Sequence, residues 1–317
     1  MYFLLILSLP LGIISVTVIL GGYMKKYFRT DLACEAADDL AHIEGTEYSK
    51  EERRLCTVER LTVMTDEAAR RLGHAEGTYV TLMTSRLWLL DDGEIEELSR
   101  TLSGELLTVM LRACGVRALT RDFSVLIVGL GNSSITPDAI GPESVERITA
   151  TRHVKAFDAE IFDMMGFCEV STLTPGVLGK TGIESSETVR AAVKTVKPDV
   201  VIVIDALAAG SVERLATTVQ LSNAGINPGA GIGNLRSELS AATLSVPVIS
   251  IGVPTVVDSS AMVCEALMKS GTEEIPDTLR EYLERGTGYY VTPKETDLIT
   301  EKVSLLISEA ISDALVI

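Results

Sequence analysis

FSVLIVGLG, Phe123–Gly131, decides the fold. It is apolar without interruption from Val125 to Val128 and ends on Gly129 and Gly131, the pattern of a strand buried on both faces. DVVIVIDAL (Asp199–Leu207) and VPVISIGV (Val246–Val253) repeat the type, and all three read as central strands. Between the first two, SSETVRAAVKTVKPD (Ser185–Asp199) sets Val189, Ala192, Val193 and Val196 on one helical face. Ser185 or Ser186 can cap its start, and Pro198 closes it. A strand, a helix and a strand imply a right-handed parallel crossover. Further out, EIEELSRTLSGELLTVMLRACGV (Glu94–Val116) carries Ile95, Leu98, Leu102, Leu106 and Met110 at helical spacing and stops at Gly115. CTVERLTV (Cys56–Val63) and TYVTLMTSRLWLL (Thr78–Leu90) read as β-rich, with a short helix starting near Asp66, whose carboxylate suits an N-cap. The expectation is an α/β protein with a mainly parallel sheet, helices on both faces and a β-rich N-terminal addition.

At 317 residues and 46% hydrophobic, the chain can bury a large core, and its net charge of −16 would repel a nucleic-acid backbone. Direct nucleic-acid binding is therefore not expected. The five cysteines, Cys34, Cys56, Cys114, Cys168 and Cys264, are odd in number and lie far apart without a C-x-x-C pair. That pattern fits a reducing cytoplasm better than a disulfide framework or a zinc site. Residues 1–23 are a hydrophobic segment, charge-free from Tyr2 to Tyr23 and about as long as the ~20 residues that cross a bilayer. It has two readings: an anchor whose trailing Lys25, Lys26 and Arg29 leave the folded part in the cytoplasm, or a coding start that belongs at Met24. A membrane enters only if residues 2–23 are part of the working protein.

In open parallel sheets ligands sit beyond the carboxyl ends of the strands. Asp138 follows VLIVGLG, Asp205 ends VVIVID, and Asp258, after IGVPTVV, is a third acid of similar placement. The glycines of GLGNSS start like a dinucleotide turn, but Pro137, Gly141 and Pro142 delay any helix and Asp138 would repel a phosphate. As structural residues Asp138 is a turn acid and Asp205 a helix N-cap. As a pair on neighbouring strands they are a hydrolytic device. Two carboxylates forced together share a proton, so the charged one can deprotonate water while the protonated one polarises a carbonyl. Other chemistries lack their parts. There is no G-x-S-x-G elbow; His42, His74 and His153 make no H-E-x-x-H; and Cys168 reads as core, not as a nucleophile for His153. No cofactor or metal is expected.

The blocks IVGLGNSSITPDAIGP, TRHV, PGVLGKTGIESSE, KPDVVIVIDALAAGSVERLATTVQLSNAGINPGAGIGN and VPVISIGVPTVVDS together resemble the germination proteases of spore-forming bacteria. The similarity extends from about Arg29 to VTPKETD near the C-terminus. The resemblance implies a three-layer α/β/α fold like that of hydrogenase maturation proteases, and a homotetramer in the cytoplasm of the forespore or spore core. It implies an endopeptidase that degrades small acid-soluble spore proteins at germination. The family's two implicated aspartates match Asp138 and Asp205. Its members are made as zymogens, and RTDLACE, Arg29–Glu35, resembles their self-processing site, with Asp31 before the cut and Leu32 after it. The implied organisation is a hydrophobic segment (1–23), a short propeptide (24–31) and one peptidase domain (32–317). Gly210 stands where the family carries a bulkier residue, Ser133 and Ser134 replace a larger pair, and the C-terminal part lacks an insert found in some members. Arg152, Lys180 and Arg236 are candidate readers of acidic substrate side chains, because they are basic and near the glycine-rich blocks. The alternatives are an inactive relative that binds a protein or a membrane, and a metal-dependent peptidase.

Overall fold

The computed structural model describes residues 30–36, 43–229, 237–272, 275–285 and 288–317. The readings of residues 1–23, of most of the 24–31 propeptide, of His42 and of Arg236 lie outside these residues. No helix among the described residues is long and apolar enough to cross a membrane.

The described strands are β1 (Thr46–Glu52), β2 (Cys56–Val63), β3 (Gly77–Thr84), β4 (Ser124–Gly129), β5 (Glu169–Leu173), β6 (Val200–Ala209), β7 (Thr218–Ser222), β8 (Val248–Asp258) and β9 (Tyr290–Val291). They form one sheet in the order β1-β2-β3-β7-β8-β6-β4-β5, with β9 against β8. The α/β class is as expected, but the sheet is mixed. β5, β4, β6 and β8 run parallel, while β1, β2, β3 and β7 join antiparallel. The β-rich N-terminal addition extends the same sheet through β7.

The helices are α1 (Asp66–Leu72), α2 (Asp92–Cys114), α3 (Ile140–Glu146), α4 (Arg152–Phe157), α5 (Ala159–Met165) and α6 (Leu178–Thr181). After them come α7 (Ser185–Val196), α8 (Ala241–Leu244), α9 (Ser259–Lys269), α10 (Asp277–Arg285) and α11 (Thr296–Ala314). Strand alternation sorts two cores. Val125, Ile127, Val200, Ile202 and Ile204 face α2, α3 and α11, whereas Leu126, Val128, Val201 and Val203 face α7 and α8. Helices thus cover both faces of the parallel strands, which explains why those strands read as unbroken apolar runs.

In α2 the anticipated Ile95, Leu98, Leu102, Leu106 and Met110 are all buried, Asp91 and Glu94 close a capping box, and Gly115 ends the helix with φ 66°. Two caps differ from expectation. Thr65, not Asp66, accepts from the Ala68 N–H at the start of α1, because Asp66 already lies in the first turn. For α7 the N-cap is Glu184, and the Ser185 hydroxyl donates instead to the Gly176 carbonyl at 2.8 Å.

Candidate active site

The site begins where β4 stops and β6 continues. Gly129 pairs with Ile204 and the Leu130 N–H donates to the Ile204 carbonyl at 2.8 Å, after which β6 runs on to Ala209 with that edge no longer covered by β4. Asp205 is therefore not the last residue of its strand and caps no helix. It sits within β6, buried, beside the turn that leaves β4. The glycines of that turn serve packing rather than phosphate binding. A Cβ on Gly129 would run into the Gly141 carbonyl and one on Gly141 into that of Leu130, so the loop can fold flat back onto its own strand only with glycine at both places.

That fold-back carries Asp138 to Asp205. Thr136–Asp138 make a 3-10 turn whose backbone is tied from three sides. The Thr255 hydroxyl of β8 donates to the Pro137 carbonyl at 2.7 Å, the Thr300 hydroxyl of α11 to the Thr136 carbonyl at 3.0 Å, and the Asn132 N–H to the Asp138 carbonyl at 2.9 Å. Asp138 and Asp205 line one cavity of about 410 Å³, and Asp31 lines it with them. Among the described residues the lining holds three carboxylates and no Lys, Arg or His. Ser185 lines the same cavity. Asp258 does not belong to it: its Oδ1 accepts from the Ser260 N–H at 2.7 Å as the N-cap of α9.

The exposed edge of β6 is occupied by the chain's own Thr30–Glu35. The Asp31 N–H donates to the Ala208 carbonyl at 3.0 Å, and the Ala208 N–H returns a bond to the Asp31 carboxylate at 2.8 Å. One step along, the Gly210 N–H donates to Glu35 Oε2 at 2.8 Å, and the Thr30 hydroxyl donates to the same carboxylate. Ala206 completes the series by donating its N–H to Asp205 Oδ1 at 3.0 Å. Alternate residues of a strand present their N–H groups to the same edge, so Ala206, Ala208 and Gly210 form a row of donors, each taking a carboxylate. Gly210 is suited to this place, since a Cβ there would come within 3.2 Å of Glu35 Oε2. Leu32 is fully buried among Leu207, Ala209, Leu215, Val257 and Ala261. Gln220 of β7 holds the main chain on either side of it. Its Nε2 donates to the Asp31 carbonyl at 2.9 Å and its Oε1 accepts from the Ala33 N–H at 2.7 Å.

Two of the candidate basic readers, Arg152 and Lys180, stand elsewhere. Arg152 pairs with Glu169 at 3.3 Å, and Lys180 donates to Ser134 at 2.6 Å in the loop ahead of Asp138; neither lines the cavity. Cysteine chemistry finds no support, because burial pushes the Cys168 thiol up to about 12 and that of Cys34, two residues after Leu32, to about 11. Among the described residues no group of three or more His, Cys, Asp or Glu is placed to hold a metal ion. Sequence reasoning missed Gln220, Thr255, Thr300 and the donor row of β6. Only Gln220 left a trace, as the one polar side chain longer than a hydroxyl within TVQLS.

Comparison with known proteins identifies the family. Residues 28–275 match the model of peptidase family A25, germination protease. The germination protease of Clostridium acetobutylicum is 38% identical over 316 aligned positions, covering 90% of this chain and 94% of that one. That of Caldanaerobacter subterraneus subsp. tengcongensis is 37% identical, with 90% and 94% covered. A Bacillus cereus germination protease is 42% identical over 253 positions, covering 77% of this chain and 67% of the relative. With the family match spanning most of the fold and the relatives aligning along nearly its whole length, this chain belongs to the germination proteases, a family of peptidases.

Proposed function

We propose that the protein is an endopeptidase in which Asp138 and Asp205 act as a pair on the peptide bond that follows an acidic residue. One carboxylate takes a proton from water, whose oxygen attacks the carbonyl carbon. The other, protonated, donates to the carbonyl oxygen as it becomes an oxyanion. The C–N bond then breaks, a proton passes to the departing nitrogen, and the products are a carboxylate and an amine. Lone general-base catalysis gives only ~10²–10⁴-fold, so the donors around the carbonyl supply the rest. The pair titrates as a unit.

The observation that carries this reading is the meeting of Asp138, Asp205 and Asp31 in one cavity. It supports action of the pair on the bond between Asp31 and Leu32, the bond that self-processing of a zymogen would cut. The same edge would take an extended segment of another chain by strand addition, with acidic side chains on the Ala208 and Gly210 N–H groups. Small acid-soluble spore proteins are the proposed substrates, a homotetramer the proposed assembly and the spore cytoplasm the proposed compartment.

The test compares the protein with Asp138→Asn and Asp205→Asn on a spore-type protein substrate, with mass analysis of the N-terminus. Each substitution is expected to lower cleavage at least ~10³-fold and to abolish a species starting at Leu32. Undiminished cleavage by either variant removes that aspartate from the mechanism. A chelator that abolishes wild-type cleavage, with restoration by added metal, replaces the pair mechanism by a metal-dependent one.

A further inference from the structure

We propose that Gln220 is a catalytic residue, the donor that stabilises the oxyanion formed on the carbonyl of the bond being cut. This rests on the aspartate-pair reading above. The geometry comes from the sheet itself. Gln220 on β7 pairs with Gly252 on β8, and Gly252 pairs with Asp205 on β6, so the three lie in one row. Side chains in one row leave the same face of a sheet, and two strand spacings put the Gln220 and Asp205 backbones about 10 Å apart. Glycine stands between them. The Leu207 side chain covers that glycine, so a peptide group crossing the row passes over Leu207 with the carboxamide to one side and the Asp205 carboxylate to the other. The peptide that crosses it is Asp31–Leu32, whose carbonyl accepts from Gln220 Nε2 at 2.9 Å while Asp31 lines the aspartate cavity.

The carboxamide is fixed for this task. Gln220 is buried, and its oxygen is engaged by the Ala33 N–H at 2.7 Å, so rotation about its last bond is blocked and the NH₂ group is aimed at the Asp31 carbonyl. A donor held before the reaction needs no reorganisation when negative charge develops on the oxygen it faces, which is the condition for strong oxyanion stabilisation. The carbonyl oxygen has two lone pairs. Gln220 takes one and the protonated aspartate of the pair takes the other, so the two donors are complementary and not redundant. Once Thr30 and Asp31 depart, Nε2 is left without the carbonyl it now holds, and the carbonyl of a substrate chain can take that place.

Two variants separate donation from mere grip on the N-terminal segment. Gln220→Glu keeps the acceptor for the Ala33 N–H and removes the donor; Gln220→Met keeps the bulk and removes both. Each is assayed twice, by the first-order rate of forming the species that starts at Leu32, and by kcat and KM on a peptide cut in trans by protein already starting at Leu32. Thermal unfolding establishes that the variants are folded. The expected result is a ~10²–10³-fold fall in self-cleavage and in kcat for both variants, with KM changed by less than about threefold. If self-cleavage slows but kcat in trans is unchanged, or if only KM rises, Gln220 is a clamp and the proposal fails. Should one variant unfold, the other decides. Asp138→Asn and Asp205→Asn run beside them: if these cleave like the wild type, the aspartate reading itself has failed, an outcome distinct from a wild-type kcat in the Gln220 variants alone.

Discussion

An aspartate after a buried strand has two common uses, capping the next helix and lining the crevice beyond the sheet, and this chain holds one of each. Asp258 ends β8 and caps α9, whereas Asp205 lies inside a strand that outruns its neighbour β4 and so borders the cavity without ending anything. Nothing in VVIVID against PTVVD tells the two apart, because the difference is the length of the adjacent strand. The cysteines are a clearer case, since their scatter and apolar settings already pointed to packing. Burial raises the thiols of Cys34 and Cys114 to about 11 and that of Cys168 to about 12. The thiolate is the reactive form, and at pH 7.5 a group near 11 holds roughly a few-hundredfold less of it than an ordinary cysteine. Iodoacetamide at that pH is therefore expected to leave peptidase activity intact over a time that fully alkylates free cysteine, with labelling of the folded protein accelerating about tenfold per pH unit above it. Stoichiometric inactivation at pH 7.5 would return a thiol to the mechanism.

At the scale of elements, the long helix α2, the crossover into β6 and the three parallel core strands were readable because each carries a strong period or an unbroken apolar run. β7, with five residues, and β1, whose TEYSKEE is almost wholly polar and exposed, carry neither; they are strands because a partner pairs with them. The same limit hid the supports of Asp138. Thr255 and Thr300 come from β8 and α11, far along the chain, and donate hydroxyls to consecutive carbonyls of the 3-10 turn that presents the acid. Removing either bond leaves a peptide carbonyl short of a donor and lets the turn shift. Thr255→Val and Thr300→Val, which keep the side-chain shape, are each expected to lose about 1 kcal/mol of stability and to lower kcat roughly tenfold, with the double variant worse than either. Full activity in the double variant, measured beside its thermal midpoint, would show that Asp138 is placed by the Gly129–Gly141 fold-back alone.

For the molecule as a whole, the α/β class could be anticipated, as could a crevice lined by both Asp138 and Asp205, since both follow from neighbouring buried parallel strands. How the crevice handles acidic side chains could not. The basic residues near the glycine-rich blocks suggested cations as readers, but Arg152 and Lys180 are turned to Glu169 and Ser134, and the carboxylates of Asp31 and Glu35 rest on main-chain N–H groups of β6. Backbone donors leave no mark in a sequence, because any residue but proline supplies one. The two modes of reading have opposite salt dependences. Cationic recognition weakens as salt screens attraction. Here the chain carries a net −16, so an acidic peptide approaches against a repulsive overall field that salt relieves. Raising NaCl from about 0.02 M to about 0.5 M shortens the screening length from roughly 20 Å to roughly 4 Å. It is expected to lower KM several-fold for a peptide with acids at the Asp31 and Glu35 positions, at constant kcat. The same peptide with glutamine at both positions serves as control and should respond less. A KM that rises with salt for the acidic peptide alone would mean that cations do the reading, with Arg236, beside the glycine-rich block, the first to replace.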